Sequence, residues 1–380
     1  MPKQTKTAKL LYAASESSAD SLYFSQAFVP DPFIALGIGS KRIGVVSMLE
    51  YSRLAKASAL TDLFSLEEMR DEAERKFKVK SASPADIVRL LARRFGFTEV
   101  QVPYDFPAGL AEELKERKIK VQTVAGTLFP QRIKKTADEA EKLKQGNAAS
   151  AAGIRAAERA IRASKVQKNG KLHLNGKVLT SERLRTIIDM ACLEKGAVAS
   201  HTICAGGRQA CDPHEGGHGP LRAGELIIVD VFPRVTATGY HGDMTRTFLK
   251  GRATESQRAL VETVREAQKR SLDALKGGVS GKAVHRAGAD YFETCGYKTE
   301  QIDGVWQGFI HSTGHGLGLE VHEEPRVSIK GNRLAAGTVV TIEPGLYYPD
   351  IGGCRIEDVA WIQKDGYELL SNYHYRWEIR

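Results

Sequence analysis

Read for its alternation of apolar and polar positions, the chain has two textures. Through about residue 130, short apolar runs alternate with helical stripes. PFIALGIGSKRIGVVSM, from Pro32, reads as two strands around a Gly39-Ser40 turn. SLEEMRDEAERKF opens on a Ser65 to Glu68 capping pair, and SPADIVRLLARRFG sets Pro84 at a first helical position with Gly96 as the stop. FTEVQVP, PAGLAEELKERKI and KVQTVAG continue as strand, helix and strand. This order predicts a small α/β domain on a largely parallel sheet, spanning residues 1–132.

The texture changes at RIKKTADEAEKLKQGNAASAAGIRAAERAIRAS, a long Ala- and Lys-rich helix opening at a Thr136 to Glu139 capping box. Helical patterns recur in SERLRTIIDMACLEKG, TESQRALVETVREAQKRSLDALKGG and GKAVHRAGADYFETCGY. Leu260, Val264, Ala267, Ser271 and Leu275 make a stripe that Gly277 is expected to end. Such a stripe is core packing, and His285 on the last helix reads as a partly exposed or internally satisfied side chain. ELIIVDVF, GTVVTIEPGLYY and CRIEDVAWI are strand patterns, and SNYHYRWEIR is a possible closing strand. Residues 133–380 are thus expected to form an α+β domain with a mainly antiparallel sheet.

Each of those three strands carries an acid where a buried face should be apolar. Asp230 ends LIIVD, Glu343 follows Val339 and Thr341 on one face, and Glu357 lies between Arg355 and Val359 on another. Asp243, in YHGDMTRTF, comes thirteen residues after Asp230. A buried carboxylate must pair, protonate or bind metal. Any one of the four could be a strand-end residue beside a basic neighbour. Four together, with GFIHSTGHGLGLEVHEEP, are poorly explained by chance. In that segment Gly314, Gly316 and Gly318 would each cost a helix roughly 1 kcal/mol. It reads instead as a turn entering an extended run, where glycine lets another group approach the backbone. Four carboxylates and one imidazole without a thiolate suit Mn²⁺, Co²⁺ or Zn²⁺, and such donors can hold the two-ion centres of hydrolases.

Composition narrows the classes. A 42% hydrophobic and 27% charged chain is globular, and its net charge of +9 is spread without basic blocks carrying interleaved aromatics. No nucleic-acid partner is therefore expected, while a positive field would favour substrates bearing a carboxylate. Five cysteines lack a CxxC spacing, which predicts reduced, mostly buried thiols. Without an 18-residue apolar run or a signal-peptide core, no membrane association is expected and a cytoplasmic location is.

The motifs IIVD, GYHGDMTRTF, HSTGHGLGLEVHEEPR, TIEPGLYY and GGCRIEDVAWI, in this order, resemble the pita-bread metallopeptidases: methionine aminopeptidase, aminopeptidase P and prolidase. The resemblance covers 133–380, and the preceding residues resemble the creatinase-type N-terminal domain. It implies two divalent ions, Mn²⁺ with Co²⁺ or Zn²⁺ as alternatives, held by Asp230, Asp243, His315, Glu343 and Glu357. Asp243 and Glu357 would bridge both ions. Asp230 would complete one shell, and His315 and Glu343 the other. Glu343 would also deprotonate the attacking water, His214 would stand beside the scissile bond, and His322 would steady the oxyanion. His311 would contact substrate, or else bond only to its own loop. Arg326, in HEEPR, falls where prolidases bind the C-terminal carboxylate of a dipeptide; a surface ion pair with Glu323 or Glu324 is its plainer alternative. Arg355 would support the site. A homodimer is a further family expectation.

The expected activity is hydrolysis of Xaa-Pro dipeptides, with small peptides carrying proline at the second position as substrates. The alternatives are an aminopeptidase P-like enzyme on longer peptides, a non-catalytic pita-bread binding module and a creatinase-like amidinohydrolase. Two departures stand out. VDVFPRVTATGYHGD lacks the usual Asp-x-Gly and has two extra residues between the aspartates, and His218 competes with His214 in CDPHEGGHGP.

Overall fold

The computed structural model describes residues 6–380. The chain divides into two compact units, Met1–Arg132 and Ile133–Arg380.

In the first unit, strands β1 (Lys6–Ala13), β2 (Phe33–Ile38), β3 (Lys41–Val46), β4 (Asp62–Ser65), β5 (Phe97–Val102) and β6 (Lys120–Thr123) form one sheet in the order β4-β3-β2-β1-β5-β6. The sheet is mixed, not largely parallel. β1/β2 and β2/β3 run antiparallel, while β1/β5, β3/β4 and β5/β6 run parallel. The physical reason is the Gly39-Ser40 turn, which is too short for a parallel crossover. Helices α1 (Ala19–Ser25) and α2 (Met48–Ala57) supply Phe24 and Leu54 to a core that includes Leu11, Phe33 and Ala35. Helices α3 (Leu66–Phe77), α4 (Pro84–Phe95) and α5 (Ala108–Glu116) cover Leu10, Leu36, Val45 and Val100 on the other face. Strand alternation thus sends apolar side chains to both faces. Ser65 caps α3 and Gly96 ends α4 at φ 74°, as their sequence signals imply.

The second unit begins with α6 (Ala137–Ala163), whose Thr136–Glu139 capping box is formed in both directions. With α7 (Ser181–Leu193) it packs on an antiparallel set, Ile203–Gly206, Leu226–Val231 and Met244–Lys250, which the short strand Glu378–Ile379 joins in parallel. The tail therefore does supply a strand. A second sheet is wholly antiparallel and contains Gly314–Gly316, Glu323–Val327, Val339–Ile342, Asp358–Ile362 and Tyr367–Leu369. Helices α8 (Glu255–Asp273) and α9 (Gly281–Thr294) bury Leu272 and Val284 against Val340, Ile342 and Ala360 of this sheet. α8 stops before the expected Gly277, which instead sits against the backbone carbonyls of Gln363 and Lys364.

Two of the expected strands are each divided. GTVVTIEPGLYY becomes Val339–Ile342 and Gly345–Tyr348, and CRIEDVAWI becomes Gly352–Arg355 and Asp358–Ile362. The breaks have a purpose in packing. Glu357 donates its backbone N–H to Thr245 O at 3.1 Å, so the chain crosses between sheets at Glu357. Gly345–Tyr348 and Gly352–Arg355 pair with each other in a separate two-stranded sheet, so Glu343 and Glu357 both fall in the gaps between paired segments.

Candidate metal centre and active site

Leu226–Val231 is buried at all six positions, so its sequence shows no alternation. One face, with Ile227, Val229 and Val231, packs on α6 and α7. The other carries Asp230. Asp230 pairs in register with Thr245 on the adjacent strand, and Asp243 lies two residues from Thr245, so both aspartates share that face. The extra residues between them fold into a small hairpin, in which Val235 N donates to Tyr240 O at 2.9 Å and Arg234 bridges His241. Behind Asp243, α6 approaches backbone to backbone. A Cβ on Gly242 would lie 2.1 Å from Gly146 C, which explains glycine at both positions.

His315 comes from the central position of Gly314–Gly316. A Cβ at Gly314 would stand 1.9 Å from Thr341 O. The group for which the glycine-rich segment makes room is thus the neighbouring strand. His315 Nδ1 lies 3.2 Å from Gly316 O, which can only accept, so Nδ1 carries the hydrogen. Nε2 then faces Glu343 Oε1 at 3.2 Å and Asp243 Oδ2 at 3.9 Å. Donor atoms of Asp243, His315 and Glu357 lie within 4.8 Å of one another. A nitrogen lone pair aimed at carboxylate oxygens is unfavourable unless a proton or cation lies between them. Asp230 Oδ1 is also buried without a hydrogen-bond partner. The donor set, hard oxygens and one imidazole, therefore fits a divalent ion.

Electrostatics agree. Burial first, then the charges of Asp230 and Glu343, push the Asp243 carboxyl well above its ordinary value. Burial and the neighbouring Asp243, Glu343 and Asp230 do the same to Glu357. At Glu343 burial also opposes ionisation, but positive charge beside it, a proton on His315 Nε2 or a cation in its place, together with Arg355, holds the carboxyl low.

These residues line one cavity of about 480 Å³, together with His214, His311, His322, Arg326 and Arg355. Every site residue expected from sequence lies on it. His218 does not; it is exposed and bonded to Gln209. His214, His322 and Arg326 are exposed at the rim. The His322 ring, though exposed on one side, stands edge-on to His315 with centroids 4.4 Å apart, and partial burial there, with the charges of His315 and Arg326, lowers its pKa. Glu323, considered above as a partner for Arg326, instead accepts from Lys135 at 2.8 Å. His285 lies apart, its Nδ1 2.8 Å from Thr313 Oγ1.

Sequence reasoning missed Tyr347. Its hydroxyl is fully buried, 2.8 Å from His311 Nε2 and 2.9 Å from Arg355 Nη1. His311 Nδ1 must donate to Ser312 O at 2.7 Å, so a neutral ring accepts from Tyr347 at Nε2. Both ring nitrogens are thereby engaged, and His311 offers a substrate ring surface only. Arg355 in turn donates from Nη2 to Asp230 Oδ2 at 2.8 Å. The pattern GLYY holds no signal for this role. Ile203, Phe232 and Val321 give the cavity an apolar wall that the motifs also left unmarked.

A profile of metallopeptidase family M24 matches residues 141–364. The chain belongs to this family. The Xaa-Pro dipeptidase of Pyrococcus horikoshii is 31% identical over 280 residues, covering 73% of the chain and 74% of that relative. The Xaa-Pro dipeptidase of Pyrococcus furiosus is 38% identical over 175 residues, 46% of the chain and 47% of that protein, so this match spans about half its length. The structure resembles P. furiosus prolidase with a TM-score of 0.75 at 25% identity, over 97% of this chain and 96% of that one. An X-Pro aminopeptidase from Thermotoga maritima shares the fold at a TM-score of 0.80 and 22% identity, over 98% of both chains. The α+β unit of this M24 chain has the pita-bread fold, and the likeness extends over the α/β unit. Among the described residues no helix is long and apolar enough to cross a membrane.

Proposed function

We propose that this chain cleaves the bond between an N-terminal residue and a following proline, with Xaa-Pro dipeptides as substrates. Two divalent ions, Mn²⁺ foremost, would be held by Asp230, Asp243, His315, Glu343 and Glu357. The reading is carried by the convergence of these five side chains in one cavity rimmed by His214, His322 and Arg326. The relatives named as Xaa-Pro dipeptidases support it.

Asp243, Glu357 and His315, whose donor atoms lie within 4.8 Å of one another, would form the heart of the site, with Asp230 and Glu343 adding carboxylate oxygens at its edges. Bound there, the ions supply positive charge at the scissile carbonyl and lower the pKa of water. Glu343, as a carboxylate, accepts the proton of the attacking water at one of its oxygens. His322, whose pKa its surroundings lower, donates a ring N–H toward the carbonyl oxygen as negative charge builds on it. His214 does the same beside the departing amide. The Arg326 guanidinium grips the dipeptide carboxylate through two parallel N–H bonds. Ile203, Phe232 and Val321 pack on the proline ring.

Assays of an Xaa-Pro dipeptide and an Xaa-Pro-Yaa tripeptide, each with Mn²⁺, Co²⁺ or Zn²⁺, test the proposal. Glu343→Gln should lower kcat by about 10²–10⁴-fold on either, and near-normal turnover would remove Glu343 as the base. Arg326→Ala should impair the dipeptide far more than the tripeptide. Equal losses would favour the longer-peptide activity.

A further inference from the structure

The loop that carries His214 is held by one edge of α7. Glu182, Arg185 and Asp189 follow one another at helical spacing on that edge. Each spends its polar group on the segment from Thr202 to Gly219. Glu182 Oε1 accepts from Gly219 N at 3.0 Å, and Asp189 Oδ1 accepts from Thr202 Oγ1 at 3.0 Å. Between them Arg185 donates from Nη1 to the carbonyls of both Gly216 and Gly217, the second at 2.7 Å. Nη1 carries two hydrogens, one for each carbonyl. Ion pairing with the carboxylates three residues before it and four after would be the ordinary use of such an arginine. Both carboxylates are engaged on the segment, and Arg185 reaches across to the loop instead.

The anchored part of the loop lies directly on the strand Ile203–Gly206. Cys204 N donates to Gly216 O at 3.0 Å. Gly217 has φ 79°, and a Cβ there would stand 2.0 Å from Cys204 O. His214 comes two residues before this anchor, at the rim of the metal-centre cavity. On its other side Arg355 Nη1 reaches Pro213 O at 3.4 Å. The His214 backbone N–H donates to Asp212 Oδ1 at 3.2 Å, but among the described residues its ring has no hydrogen-bond partner. What places that ring must therefore act through the backbone, and Arg185 is the charged group that grips it on the far side.

We propose that Arg185 is a positioning residue for His214: by holding the Gly216 and Gly217 carbonyls it fixes where the imidazole meets the departing amide. The inference rests on the role given to His214 above. A planar guanidinium keeps its donors in a set direction, whereas a lysine ammonium on a flexible stem would hold the same carbonyls more loosely.

A double-mutant cycle in the metal-loaded full chain tests the assignment. Arg185→Met should lower kcat on an Xaa-Pro dipeptide by about 10–100-fold while KM changes by less than about threefold, because the amide contact strengthens in the transition state. In a His214→Ala background the same change should cost less than about twofold. Arg185→Lys, which keeps a charged donor, should recover part of the loss only where His214 is present. Equal fold-losses with and without His214 would overturn the proposal, since Arg185 would then act on the fold as a whole. So would a kcat for Arg185→Met within about twofold of the parent. Hydrogen exchange without substrate separates this inference from the reading it rests on. In Arg185→Met the Cys204 and Gly219 amides should exchange at least about tenfold faster, and unchanged protection would overturn the clamp whatever the chain hydrolyses. Faster exchange in a chain that cleaves no Xaa-Pro bond would support the clamp and count against the peptidase reading alone.

Discussion

Tyr347→Phe removes a single oxygen and isolates what the buried network behind the metal centre contributes. The hydroxyl gives one hydrogen bond to neutral His311 and accepts one from charged Arg355, at 2.8 and 2.9 Å. The first is worth about 1 kcal/mol and the second about 1.5–3. Without it Arg355 Nη1 keeps only Pro213 O at 3.4 Å, and His311 Nε2 loses its donor. A loss of roughly 2–4 kcal/mol follows, or about 5–15 °C in the melting of a unit this size. Because Arg355 also holds Asp230 Oδ2, turnover or metal affinity should fall by about 10–100-fold. Scanning calorimetry with kcat measured at saturating Mn²⁺ reads both effects. Tyr348→Phe is the control, since its hydroxyl makes one bond, to Lys298 O at 2.7 Å near the surface, and should cost about 1 kcal/mol or less. A Tyr347→Phe melting point no lower than that of Tyr348→Phe, with unchanged turnover, would refute the reasoning.

Two further changes follow from the same geometry. Gly314→Ala would drive a methyl into Thr341 O, so it should destabilise the second unit by about 3 kcal/mol or more and disturb His315; a stable variant with normal metal content would contradict this. Burial, opposed only in part by Glu343, pushes the His311 imidazole down to about 4 from 6.5. Between those values the unfolded chain holds a proton that the folded one lacks. The stability tied to this group is complete above about pH 6.5 and falls as pH drops toward 4, by at most roughly 3 kcal/mol after screening. An NMR titration of the His311 ring should show a midpoint near 4, and one near its ordinary value would contradict the buried network.

Much of the site was legible because its chemistry conflicts with its surroundings. Asp230 at the end of LIIVD and Glu343 after VVTI stand where a core strand needs apolar side chains, and both line the cavity. The capping box at Thr136 is a local hydrogen-bond pattern that needs no distant partner, and it is formed as read. What could not be read was set by distant partners. Nothing in CRIEDVAWI marks the crossing at Glu357, since its cause is Thr245, remote in sequence. Tyr347 looks like any core aromatic until His311 and Arg355 reach it from two sides. The mixed sheet of the first unit was legible in part: the Gly39-Ser40 hairpin imposes antiparallel pairing on β2 and β3, whereas the β1/β2 pairing follows only from the assembled sheet.

The most direct test of the account is a Mn²⁺ titration of chelator-treated, dialysed protein, monitored by calorimetry alongside Xaa-Pro hydrolysis. Two ions per chain should bind and restore turnover, and Asp243→Asn should lose both. Protein that takes up no Mn²⁺, Co²⁺ or Zn²⁺, or that hydrolyses Xaa-Pro equally well without them, would contradict the claim that these inward acids and His315 form a metal centre.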